Sequence, residues 1–155
     1  MALRNIVKGN DPLLRKKSRP VTVFDTRLHT LLDDMVQTLH NVGGAGLAAV
    51  QVGALRRVFI VDVGEGVTEL INPVITSRSA ETESASEGCL SFPGEYGMVE
   101  RPLKVTAQAQ DRFGDPITVT GEGLLARAIC HEYDHLEGIV YKDLATEMFE
   151  EEDEE

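Results

Sequence analysis

The spacing of apolar residues predicts two helices with strands between them. Leu28, Leu31, Leu32, Met35 and Leu39 recur at three- and four-residue intervals, which is one face of an amphipathic helix over residues 25–40. Gly43, Gly44 and Gly46 stop it. Residues 57–63 are β-branched and almost continuously apolar, as in a strand buried on both faces. Residues 70–75 are interrupted by Asn72-Pro73, which predicts an edge strand or a bend. Val105, Ala107 and Ala109 alternate with Lys104, Thr106, Gln108 and Gln110, the pattern of a half-buried strand. Phe113-Gly114-Asp115-Pro116 reads as a turn into a short returning strand over 117–120. A second helix is expected over 122–136, with Leu124, Leu125, Ala128, Ile129, Glu132 and Leu136 on broadly one side and Gly138 ending it. No crossover helices are available for a parallel sheet, so the expected class is α+β with mostly antiparallel sheet.

Length and composition narrow this picture. The chain has 155 residues, enough for one domain with a sizeable core. Only 5% of residues are aromatic and none is Trp, so the core is expected to be aliphatic. No apolar run approaches the ~20 residues that cross a bilayer, and the N-terminus has no secretory apolar stretch, which suggests a cytoplasmic, non-membrane protein. Much of the formal charge of −11 sits in residues 150–155, which are all acidic. We expect one domain over residues 1–148 and a disordered acidic tail over 149–155. Nothing resembles the basic footprint of a nucleic-acid binder. The two cysteines, Cys89 and Cys130, are expected to be reduced, which leaves cysteine chemistry open.

The strongest local signal is His131-Glu132-Tyr133-Asp134-His135 in the second helix. Residues four apart project from one helix face, so both imidazoles can chelate one divalent ion. Glu132 sits about 100° round the helix, able to reach a water at the metal without being a ligand. A stable site of this kind needs a third ligand and an open position for water. By residue type the candidates are Cys89, Cys130, a carboxylate, His29 or His40. Cys130 precedes His131 and points elsewhere, as a small packing residue would, and nothing ties His29 or His40 to the second helix. By residue type alone Cys89, within Glu87-Gly88-Cys89-Leu90-Ser91, reads as a buried structural thiol. The small-residue run Gly44-Ala45-Gly46-Leu47-Ala48-Ala49-Val50-Gln51 suits either a flexible loop or a backbone passing close to a ligand. It lacks the Gly-Lys-Ser/Thr of a phosphate loop.

Taken in order, these three segments resemble the peptide deformylase family, whose motifs are G-x-G-L-A-A-x-Q, E-G-C-L-S and H-E-x-D-H. Every specified position is matched here. Asp11-Pro12-Leu13-Leu14-Arg15 adds a weaker echo, so that the likeness covers about residues 5–145. The resemblance implies antiparallel sheets packed around a central helix that bears the His-Glu motif, with a further helix near the N-terminus. It implies hydrolysis of the formyl group from N-terminal methionine of nascent peptides, with transient ribosome proximity. It assigns Cys89, His131 and His135 as ligands of one divalent ion, iron(II) in the cell, with zinc or nickel in isolated preparations. It assigns Glu132 to proton transfer, Gln51 and the Leu90 N–H to the oxyanion, and Gly46 and Gly88 to the substrate backbone. Glu87 would pair with Arg101 to hold the Cys89 loop. We further expect Ile129 in the pocket for the methionine side chain. The rival readings are a zinc peptidase, which shares the two histidines and the glutamate, and a non-catalytic metal-binding domain.

Overall fold

The computed structural model describes residues 2–150. Helix α1 (Thr26–Val42) begins where the Asp25 carboxylate accepts the Leu28 N–H and ends at Gly43 in the left-handed conformation. Strands β1 (Gly46–Ala48), β2 (Val58–Val61) and β3 (Thr68–Arg78) follow, then β4 (Thr82–Cys89) and β5 (Phe92–Pro102). Strands β6 (Lys104–Gln110) and β7 (Pro116–Glu122) lead into helix α2 (Leu124–Leu136), and β8 (Glu147–Glu150) comes last.

Among the described residues the strands form two antiparallel sheets, one ordered β1-β2-β3-β6-β7 and the other β4-β5-β8. The residues of β2 alternate between two cores. Val58 and Ile60 pack with Leu28, Leu31, Leu32, Met35 and Leu39 of α1. Phe59 and Val61 pack with Ala126, Ala128, Ile129 and Leu136 of α2. Each such aliphatic side chain contributes about 1.5–3 kcal/mol on full burial, so the uninterrupted apolar run of β2 anchors a helix on either face. The opposite side of α2 meets the smaller sheet. The helix that carries the His-Glu motif is therefore enclosed on nearly all sides, and Arg127, His131, Glu132 and His135 are all buried.

Two expectations change, and one stretch with no expectation gains a structure. Of the two readings of Asn72-Pro73 the structure has the bend, because β3 is not an edge strand but lies between β2 and β6. The register slips between Ile71 and Val74, and Asn72 takes φ 51°. This bulge absorbs the missing N–H of Pro73. The Asn72 side chain holds the bulge by bonding the Val21 N–H and carbonyl, both at 2.8 Å. The polar stretch after residue 77 forms the β4–β5 hairpin, in which Glu87 is the one fully buried residue of β4. The expected start of the tail at residue 149 falls inside β8, where Phe149 pairs opposite Tyr96 and stacks on its ring at 6.2 Å. Met148 and Phe149 give this short acidic segment the apolar contacts that hold it to β5. Residues 151–155, the rest of the expected tail, lie outside the described residues. Both cysteines are free thiols.

Candidate metal centre

The α2 helix places His131 and His135 one turn apart, with ring centroids 5.2 Å apart. Cys89 reaches them from the end of β4, and its Sγ lies 3.4 Å from Nε2 of His135. The three ligand atoms all fall within 4.8 Å of one another. Donors around a tetrahedral ion with ordinary metal–sulfur and metal–nitrogen bonds sit about 3.5 Å apart, so the cluster fits one divalent cation.

Glu87 orients this cluster. Its carboxylate accepts the Nδ1 hydrogen of His131 at 2.9 Å, which fixes the tautomer and leaves Nε2 for a ligand bond. The same carboxylate receives two bonds from Arg101, at 2.8 and 3.0 Å, and one from Arg127 at 2.7 Å. Burial pushes the Glu87 carboxyl upward, but the bonds with His131 and Arg101 outweigh it and hold the group at about 2. It is a fixed anion across the working pH range. Burial pulls the ring pKa of His131 down. Glu132 and the Cys89 thiol pull it up further, to well above its ordinary value. Burial, with His131 and Arg101 nearby, holds the His135 ring well below its ordinary value, so that imidazole stays neutral and has a lone pair to offer an ion.

Glu132 lies in the same cavity, and one of its oxygens is buried with no protein partner among the described residues. Burial raises its carboxyl to about 7, against the lowering pull of His131. A group poised there can both take and return a proton. Gln51 stands in the short turn after β1. Its Oε1 accepts the Ala48 N–H at 3.0 Å, which aims its amide N–H group at Ser91 Oγ (3.1 Å) and Cys89 Sγ (3.5 Å). Ser91 has no role in the sequence reading although it is part of the second motif, and it is 1% exposed.

Gln51, Cys89, His131 and Glu132 border a cavity of about 620 Å³, a size that suits a small ligand. Gly44, Gly46, Gly88 and Leu90 line it together with Leu124 and Ala128. Ile129 does not line it. Its side chain is fully buried in the core under the larger sheet, about 100° round the helix from Ala128. Leu124 was expected on the buried side of α2. It is 59% exposed and sits at the cavity rim. His29 bonds the Arg112 carbonyl, His40 bonds Asp62, and Cys130 packs in the core, where burial raises its thiol. None of these three joins the cluster.

Residues 3–150 match the family model described as polypeptide deformylase. The chain belongs to the peptide deformylase family. A peptide deformylase from Caldicellulosiruptor bescii is 51% identical over 153 residues, covering 99% of this chain and 92% of that protein. One from Alkaliphilus metalliredigens is 52% identical, covering 92% and 97%. The crystal structure of peptide deformylase from Thermotoga maritima superposes with a TM-score of 0.92 at 39% identity, covering 95% of this chain and 100% of that one. A deformylase from Synechococcus elongatus, solved in complex with actinonin, gives 0.90 at 37% identity, covering 93% and 79%. Peptide deformylases are metal-dependent hydrolases that remove the N-formyl group from the N-terminal methionine of newly made proteins, and this chain is such an enzyme. No helix among its described residues is long and apolar enough to cross a membrane.

Proposed function

We propose that deformylation is carried out in the cavity beside α2, with Cys89, His131 and His135 holding one divalent cation. The observation that carries this reading is the convergence of those three donor atoms within 4.8 Å. A cation there supplies the positive charge that acidifies a water molecule. Glu132 takes the water proton as the formyl carbon is attacked and returns it to the leaving amine, so that formate and a free amino terminus result. One of the Glu132 oxygens is buried with no protein partner among the described residues, which leaves it free to meet that water. The amide of Gln51 and the N–H of Leu90 face the developing oxyanion. One such donor is worth roughly 3–4 kcal/mol in other hydrolases.

The substrate backbone runs past Gly46 and Gly88, where no side chain projects into the cavity. The methionine side chain rests against Leu90, Leu124 and Ala128, apolar groups of the cavity wall, in place of the expected Ile129. The thiolate, two-imidazole ligand set suits iron(II) in the cell, with zinc or nickel taken up on isolation. Formylated nascent chains as substrates favour a cytoplasmic setting with transient ribosome proximity. The catalytic domain then extends beyond the expected 1–148 to the end of β8 at Glu150.

Formate release from formyl-Met-Ala-Ser under anaerobic conditions, with and without a chelator, tests the reading. Release that stops with chelator and returns with iron(II) is expected. Cleavage of internal amide bonds in place of formate release would favour a peptidase. Chelator-resistant release would remove the cation.

A further inference from the structure

We propose that Arg127 is a positioning residue for the cation site, acting through Glu87. This rests on the reading of Cys89, His131 and His135 as ligands. Arg127 is 8% exposed and precedes His131 by four residues, so both side chains leave α2 on one face. Its Nη1 donates to Glu87 Oε2 at 2.7 Å and to the Val99 carbonyl at 2.8 Å. Its Nη2 donates to the Glu83 carbonyl at 2.8 Å. One guanidinium thus ties α2 to both strands of the β4–β5 hairpin and to the carboxylate that orients His131.

Arg101 and Arg127 reach Glu87 from different elements. Arg101 comes from β5 and shares its third nitrogen with Asp134 of α2 at 2.7 Å. It braces Glu87 from within the hairpin sheet. Arg127 braces Glu87 from the helix that carries two of the three ligands. Glu87 stands two residues before Cys89 on β4. Beside the Arg101–Asp134 bond, the Arg127–Glu87–His131 chain of contacts therefore helps set the separation between the strand that offers the thiolate and the helix that offers the imidazoles. Freed from it, the hairpin can shift against α2, and Sγ and Nε2 lose their register around the ion.

The test is cobalt(II) titration of the apoprotein, followed by thiolate-to-cobalt absorption, in a double-mutant cycle. Arg127→Met is expected to weaken cobalt binding by about 10- to 100-fold, the range for groups that orient metal ligands. Arg127→Lys should recover part of this, since one ammonium cannot serve three acceptors in fixed directions. In a Glu87→Gln background the further loss from Arg127→Met should nearly vanish, because the two act on one path. Wild-type cobalt affinity in Arg127→Met with only a lower Tm would make the residue structural and overturn the proposal. Full additivity of the two losses would do the same. If Arg127→Met does not fold, Arg127→Lys takes its place in the cycle. Cys89→Ala is run alongside. Undiminished cobalt binding there would sink the ligand reading itself, whereas loss there with no effect at Arg127 would sink this proposal alone.

Discussion

Gly46 leaves no room for a side chain beside Glu132. A Cβ built on Gly46 would lie 2.7 Å from Oε2 and 2.8 Å from Cγ of Glu132. Both residues border the cavity, so the missing side chain at Gly46 is what admits the carboxylate. Gly46→Ala should displace Glu132 by a fraction of an ångström or more and lower kcat by about 100-fold, the usual cost of misplacing a reacting group. Metal content should hold. A rise in KM with kcat unchanged would instead make Gly46 a substrate contact only. Adding the shorter Glu132→Asp should partly restore Gly46→Ala.

Glu132 is not among the three clustered ligand groups, which separates its chemistry from metal retention. Glu132→Ala should keep a full complement of metal and lose turnover by roughly 10² to 10⁴-fold, the contribution of a general acid–base group. Metal analysis and formate release on one preparation decide the point. Wild-type turnover in that variant would take the proton transfer away from Glu132.

Ser91 holds the Gln51 amide in place at 3.1 Å within a fully buried contact. Removing the hydroxyl leaves that amide with the weak acceptor Cys89 Sγ alone. Ser91→Ala should lower kcat about tenfold, consistent with a lost hydrogen bond of ~1 kcal/mol. Cobalt affinity should be unchanged. An unaltered kcat would show that Gln51 needs no such support.

Asp34 fastens the N-terminal segment to α1 by accepting the Ala2 N–H at 2.7 Å and Arg4 Nε at 2.9 Å. The Ala2 bond is the main cause that holds its carboxyl below the ordinary 3.8, against burial and with help from Arg4. A carboxyl depressed on folding stabilises the native state above pH ~4, and this stabilisation is lost as pH falls through the lowered value. Asp34→Asn should therefore lower Tm at pH 7, and the gap from wild type should close progressively below pH 4. A gap independent of pH would assign the effect to packing.

The parts of this fold that follow a simple period were legible in the chain. Helix α1 shows its buried stripe and its glycine stop, and β2 shows a run with no polar residue because a helix covers each face. Pro73 left strand β3 open between an edge and a bend, and the bulge is the bend that lets it sit at the centre. The β4–β5 hairpin was not visible, since Thr82, Glu83, Ser84 and Ser86 are exposed and leave no apolar alternation. Around α2 the periodic signal fails for a different reason. A helix packed on nearly every side buries Arg127, Glu132 and Ile129 alike, so apolarity no longer tells core from cavity wall. Ile129 was accordingly assigned to the pocket, and Arg127 passed as an ordinary helix residue. The two histidines stand out because their spacing matches the helical turn. The approach of Cys89 depends on contacts across 42 and 46 residues of chain, which no local pattern encodes.

The metal content of Cys89→Ala, measured on anaerobically purified protein beside the wild type, tests the proposed metal site most directly. Near-stoichiometric metal in the wild type, and a small fraction of it in the variant together with loss of formate release, is the expected result. A full equivalent of tightly held metal in Cys89→Ala would contradict the assignment of the thiolate, and with it the site described above.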